Sequence, residues 1–250
     1  MKLDMHCHVK EGSVDSRVSL DEYITKLKAH GFDGMLITDH DTYKGYRYWK
    51  NEMKGKVYED FVVLKGIEYD TCDAGHIICI MPEGVKMRLL EMRGMPVAML
   101  IDFVHRHGGI LGPAHPCGEK YMSFTNTKRY YRSPEIIKRF DFIEAFNACE
   151  PEASNEGARK KYKKPGIGGS DSHKLNCVSM GYTILPERVT CETELIALIR
   201  KKVPIEAGGK LYDKTTKDRI GKASKLLAYS FWFYNKGGEL LKRRKRRKKG

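Results

Sequence analysis

The stretch MKLDMHCHVKEGSVDS, residues 1–16, sets two histidines one residue apart inside an apolar, alternating segment. Chain ends usually fray, so a patterned opening marks an ordered element. Residues i and i+2 of a strand point to the same side. In a strand over KLDMHCH, His6 and His8 therefore reach one ion while Cys7 points away. The pairing has meaning only if other elements bring matching groups to the same place.

Working outward, short apolar runs alternate with amphipathic stretches. SLDEYITKLKAHG (19–31) predicts a helix: Ser19 and Glu22 form a capping-box pattern, Leu20, Tyr23, Ile24 and Leu27 share one face, and Gly31 supplies a stop. GMLIT (34–38), FVVLKGIE (61–68), HIICIM (76–81), GILGPAH (109–115), DFIEAFN (141–147) and PGIGGSDSH (165–173) read as strands. MPVAMLIDFVHRHG (95–108), PEASNEGARKKYKK (151–164) and CETELIALIRKK (191–202) read as helices, and SPEIIKRF (133–140) begins a short one. Strand alternating with helix predicts an α/β fold with a mainly parallel sheet.

His6 and His8 close the first strand and His40 follows the second. Glu68 closes the third, His76 opens the next, and His115 ends GILGPAH. Asn147 ends DFIEAFN, and Asp171 and His173 follow the Gly-rich GIGG. In a parallel α/β barrel or sheet, strand C-termini gather on one face, where active sites form. Asp171 and His173 repeat the i, i+2 spacing of His6 and His8. Imidazole and carboxylate ligands without thiolates suit zinc, iron or manganese. Glu68 has two oxygens with which to bridge two ions. The candidate groups outnumber the ligands of one ion, so a cluster is expected.

MHCH, TDHD, GIE, GPAHP and GGSDSH, in this order over residues 4–173, resemble the PHP (polymerase and histidinol phosphatase) family. The resemblance implies a distorted (β/α)7 TIM-like barrel with two or three divalent ions (Zn, Mn or Fe) at the strand C-termini. It implies a first ion on His6, His8, Glu68 and Asp171, and a second on Glu68, His76 and His115. A third would take His40, His173 and one residue of the loop after His8. That loop, VKEGSVDS, is longer here than in many relatives; Asp15 is the candidate and Glu11 the competitor. The implied reaction is phosphate-ester hydrolysis by a metal-bridged hydroxide. Asp171 belongs to the catalytic centre, and His40 or His173 protonates the leaving group. The expected substrate is a small phosphorylated metabolite or nucleotide. Nuclease action and a non-catalytic, metal-stabilised binding module are the alternatives.

Two basic, aromatic segments are candidates for substrate contact: DTYKGYRYW (41–49), with Lys44 and Arg47, and TNTKRYYRS (125–133), with Lys128, Arg129 and Arg132. For the first, the plainer reading is a helix start with a buried aromatic face. Asn147 reads either as a substrate contact or as a structural hydrogen bond. Asp4 reads as a strand start more than as support for a histidine. Cys7 and Cys117 read as packing residues. His30, His105 and His107 read as helix residues outside the site.

The 250 residues suit one large domain or two small ones. We expect a catalytic domain over 1–210, an aromatic-rich extension packing on it over 211–241, and a disordered basic tail over 242–250. Eight consecutive basic residues, Lys242–Lys249, supply more than half of the +14 net charge. Such a run is either a solvated tail or a polyanion-binding one, giving nucleic acid as a further possible partner. Seven scattered cysteines with no C-x-x-C pair read as reduced thiols. No apolar run is long enough for a membrane span, and no signal peptide is evident. The expected compartment is the cytoplasm. The sequence carries no reading of oligomeric state.

Overall fold

The computed structural model describes residues 1–85, 87–119 and 122–212. Strand β1 (Lys2–Cys7) leads through a loop into helix α1 (Leu20–Ala29). The Ser19 hydroxyl accepts from Glu22 N, and Glu22 reaches back to Ser19 N, so the capping box forms as the sequence predicts. Leu20, Tyr23, Ile24 and Leu27 face the core. β2 (Gly34–Ile37) follows, then α2 (Lys44–Tyr48), which runs into one π-type turn, Trp49–Met53, that buries Trp49 and Met53. β3 (Val62–Asp70) and β4 (His76–Ile80) form a hairpin. Then come α3 (Val97–Arg106), β5 (Ile110–Pro113) and α4 (Lys128–Arg132), the last capped by Thr127. SPEIIKRF forms a 3-10 helix over Pro134–Arg139. β6 (Ile143–Asn147), α5 (Glu152–Lys161) and β7 (Gly166–Gly169) precede β8 (Gly181–Ile184), α6 (Glu192–Arg200) and β9 (Glu206–Gly209).

Seven strands form one sheet in the order β5-β4-β3-β2-β1-β8-β9, and β6 pairs with β7 in a second. β1, β2 and β3 are parallel, as are β6 and β7. β4 and β8 run antiparallel to both neighbours. This corrects the expectation of a mainly parallel sheet. The architecture is an α/β fold with a sheet curled as a half-barrel. The second sheet joins it on both sides: Asp141 N donates to Leu111 O (2.9 Å), Gly168 N to Thr183 Oγ1 (2.7 Å), and Asp171 N to His6 O (2.9 Å).

The interior is filled by Leu3, Met5, Leu36, Leu64, Ile78, Ile80, Phe142 and Ile167, with α6 packed against it through Leu195, Ile196 and Ile199. Cys7 points away from His6 and His8 into the cluster that holds the apolar face of α1. None of the seven cysteines is in a disulfide. Tyr212 N donates to Ala148 O. The expected extension and basic tail lie, from residue 213 onward, outside the described residues. Among the described residues no helix is long and apolar enough to cross a membrane.

Candidate metal centre

Strand direction assembles the site. β1, β2, β3, β5, β6 and β7 deliver their C-terminal residues to one end of the sheet. The antiparallel β4 contributes there too, because its first residue, His76, follows the hairpin turn. Glu68 lies at the centre, 1% exposed. Its Oε2 is 3.3 Å from His6 Nε2, 3.2 Å from His8 Nε2 and 3.1 Å from His40 Nδ1. Its Oε1 is 2.9 Å from His76 Nδ1 and 3.3 Å from His115 Nε2. Asp171 Oδ1 lies 3.6 Å from His6 Nε2 and 3.4 Å from His8 Nε2. On the outer side, Asp15 Oδ2 is 3.4 Å from His40 Nε2 and 3.3 Å from His173 Nε2.

The three sets expected from the sequence are therefore each brought together. Asp15, not Glu11, joins the third; Glu11 instead accepts from Leu20 N at the start of α1.

These donors fit divalent ions. Both oxygens of Glu68 and the Nδ1 of His76 are buried, and although imidazole nitrogens stand 2.9–3.3 Å from the carboxylate, none meets it in hydrogen-bond geometry. A buried, unbonded carboxylate costs several kcal/mol unless a cation meets it. His6 Nε2 and His8 Nε2 stand 3.1 Å from each other and 3.2–3.6 Å from Glu68 Oε2 and Asp171 Oδ1. Ligands at about 2.1 Å from one ion in a tetrahedron stand about 3.4 Å apart. Electrostatics agree. Burial alone would raise the carboxyl pKa values of Glu68 and Asp171, but the surrounding histidines hold both well below the ordinary range. Burial opposes protonation of His173, yet Asp15 and Asp171 carry it up to about 9. A metal bound here would displace protons.

A further layer holds these groups. Glu144, 1% exposed, accepts from His6 Nδ1 (2.8 Å), His115 N and Asn147 Nδ2 (3.1 Å). Ser13 contacts His8 Nδ1 (3.3 Å) and donates to Asp39 (3.0 Å), and Ser123 contacts His115 Nδ1 (3.1 Å). Sequence reasoning missed all four. Only Glu144 carried a signal, as a carboxylate in the apolar run FIEAF. Asp4 is more than a strand start. It accepts from Ser170 N and Oγ and from Tyr23 Oη, tying β1 and α1 to the segment that carries Asp171. His115 and Asp171 have φ of 31° and 50°, in the left-handed region. Each costs on the order of 1–3 kcal/mol, strain of the kind held at functional sites.

The expected substrate contacts are placed differently. Asn147 is 1% exposed, and its Nδ2 donates to Glu144 and to Asp171 Oδ2 (3.2 Å). Of its two readings, that geometry is the structural one. Arg47 pairs with Glu91 at 2.8 Å, and Arg129 Nε lies 3.9 Å from Asp73. Lys44 begins α2, with its backbone N bonded to Thr42 Oγ1. Arg132 is exposed at the end of α4. His105 is 36% exposed and pairs with Asp141, and His30 and His107 bond backbone carbonyls in their own helices.

The PHP domain model matches residues 4–153, and a PHP-associated model matches residues 155–204. No curated protein matches the chain in sequence. Among solved structures, PsfC from Pseudomonas syringae PB-5123 is similar at TM-score 0.61 and 14% identity, covering 92% of this chain and 98% of that one. The lesion-specific endonuclease PfuEndoQ of Pyrococcus furiosus is similar at TM-score 0.56 and 15% identity over 83% of this chain and 58% of its own. A proposed metal-dependent phosphoesterase of Bifidobacterium adolescentis is similar at TM-score 0.51 and 14% identity over 81% and 96%. At these identities the likeness is one of fold. The match to the PHP domain covers more than half of the sequence, around a centre of histidines and carboxylates at the strand ends: the chain belongs to the PHP domain family.

Proposed function

We propose that this protein is a metal-dependent phosphoesterase that hydrolyses a phosphate ester of a small metabolite or nucleotide, at the rim of a distorted (β/α)7 barrel. One observation carries the reading: the buried, unbonded carboxylate of Glu68 stands where five histidines converge. In this assignment His6, His8, Glu68 and Asp171 hold one ion, and Glu68, His76 and His115 a second. Asp15, His40 and His173 hold a third, the metals being zinc, manganese or iron. Bound ions would supply an acidified water and neutralise charge growing on phosphorus.

The chain's own residues orient and protonate. Glu144 keeps a proton on His6 Nδ1 and so turns the Nε2 lone pair toward the centre. Asn147 fixes one oxygen of Asp171 and leaves the other facing His6 and His8. The side chains of His40 and His173 are 28% and 30% exposed, the most open imidazoles of the centre. Whichever of the two is not committed to the third ion meets the leaving group and donates its proton. Lys44, Arg47, Arg129 and Arg132, on the segments after β2 and β5, receive the phosphate or the group it carries. Arg47 does so by exchanging its Glu91 partner. Cysteines without a disulfide fit a reducing compartment such as the cytoplasm.

Nucleic acid is the second reading. It is favoured by the exposed Lys128 and Arg132, by Tyr131 at 74% exposure beside them, and by the basic run 242–249. The test is hydrolysis of an aryl phosphate monoester and its bis-aryl diester, with manganese or zinc, by the wild type and by Glu68→Gln. Turnover of either ester that Glu68→Gln loses is the expected result; equal turnover by the variant contradicts it. A nuclease would in addition slow steeply with salt and on removal of 242–250, while aryl ester turnover would not.

A further inference from the structure

Beside the metal centre two thiols meet. Cys149 lies in the turn after β6, and Cys177 ends the 3-10 turn Leu175–Cys177 that follows the Asp171 segment. Their Sγ atoms are 3.4 Å apart. Both are directed at one stretch of backbone. Cys149 Sγ is 3.4 Å from Ser170 O and 3.6 Å from Asp171 O, and Cys177 Sγ is 3.6 Å from Ser170 O. That stretch carries Asp171, whose N bonds His6 O. The paired sulfurs therefore touch the same segment that delivers a carboxylate to the centre.

We propose that Cys149 and Cys177 are a modification site, a reversible thiol–disulfide pair whose oxidation loosens the hold of the Asp171 segment on metal. A disulfide needs an S–S distance of about 2.05 Å, so the sulfurs close by about 1.4 Å. Both residues lie in turns between regular elements, where side-chain rotation and a small backbone shift supply that movement. Exposure sets the order of events. Cys149 is half-buried and open to an oxidant, whereas Cys177 is 2% exposed and is reached only by its neighbour.

With hydrogen peroxide as the oxidant, the Cys149 thiolate attacks one peroxide oxygen and the O–O bond breaks. This gives a sulfenic acid, and hydroxide leaves to take up a proton as water. The Cys177 sulfur then attacks the Cys149 sulfur, the S–O bond breaks, and a second water leaves with the thiol proton. Two thiols and one peroxide become one disulfide and two waters. A dithiol reductant reverses the step. Once the bond forms, Ser170 O loses both S–H neighbours, and the two turns draw together across the base of the Asp171 segment. The inference goes beyond the phosphoesterase reading, and its first readout requires no catalysis.

The test uses the full chain loaded with zinc, which has no redox chemistry of its own. It is treated with hydrogen peroxide, alkylated, digested without reductant and read by mass spectrometry. The expected product joins the Cys149 and Cys177 peptides, with two hydrogens lost, two of the seven thiols closed to alkylation, and full recovery in dithiothreitol. Cys149 left alkylatable, driven to sulfinic acid, or joined to another cysteine overturns the pairing. The second readout is zinc retained on dialysis. The oxidised wild type should lose it faster than the reduced protein, and a Cys149→Ala, Cys177→Ala double variant should not respond to peroxide. Equal retention by oxidised and reduced wild type overturns the coupling to the centre.

Discussion

Glu144→Gln keeps the shape of a side chain while removing its charge and one acceptor oxygen. In the wild type Oε1 receives His6 Nδ1 at 2.8 Å, and Oε2 receives His115 N and Asn147 Nδ2. An amide has one oxygen, so it serves one side only. If the amide nitrogen faces His6, the ring turns over its tautomer and presents N–H, not a lone pair, to the centre. If it faces the other way, His115 N and Asn147 lose their acceptor, and with them the positions of two centre residues. The second loss leaves buried donors unpaired, at about 1–3 kcal/mol, and the first takes the His6 lone pair from the centre. Loss of such an outer partner weakens metal binding by about 10–100-fold, or about 1.4–2.8 kcal/mol. The two estimates agree. Zinc affinity measured by chelator competition, beside thermal unfolding of the metal-free chain, reads both. Affinity within about twofold of wild type in a folded variant would refute the assignment of Glu144 as the residue that orients His6 and His115.

Three further outcomes follow from the same geometry. His8→Ala and Asp171→Ala should each abolish ester hydrolysis and lower bound metal, read by turnover and elemental analysis; full activity in either removes that residue from the centre. Gly169→Ala would place a Cβ 2.4 Å from His6 Cβ and 2.5 Å from His6 N, against backbone that cannot retreat. It should destabilise the chain by at least about 1–3 kcal/mol by forcing β7 away from β1, and an unchanged melting temperature would contradict that packing. Glu192 is 2% exposed, and burial raises its carboxyl pKa above the ordinary value against the pull of its bond from Lys65 N. A raised carboxyl favours the folded state in full only below its unfolded pKa, and that support fades as pH climbs through the folded one. The melting temperature of Glu192→Gln relative to wild type should therefore rise as pH climbs above the ordinary carboxyl range; a constant offset would contradict it.

Much of this was legible because two periods were intact. The 3.6-residue face of α1 and its Ser19–Glu22 box gave the helix, and the i, i+2 spacing of His6 with His8 and Asp171 with His173 gave the strand ends. Strand direction was not legible. HIICIM is apolar throughout, and such a run packs equally well in either sense. The turn TCDAG, where Thr71 N bonds Gly75 O and Gly75 takes φ +75°, makes β4 antiparallel. β9, EAGG, offers no apolar alternation at all and forms by pairing with β8. TNTKRYYRS held a Thr127 cap and yields α4, a helix with no buried residue and hence no apolar stripe to read. At the centre, the groups that meet the cation site announced themselves as histidines and acids at strand ends. Ser13, Ser123 and Asp39 did not, since serines and acids are common in loops. Glu11 is nearer His8 in sequence than Asp15, yet the path of the loop brings Asp15 to His40 and His173.

The most direct measurement is the metal content of the purified chain by elemental analysis, first without added metal and then after loading with zinc or manganese. Two to three ions per chain, falling in His8→Ala and Asp171→Ala, is the result this account predicts. A chain that binds no metal under any loading condition would contradict it, because the unbonded Glu68 carboxylate and the histidines around it would then serve no ion.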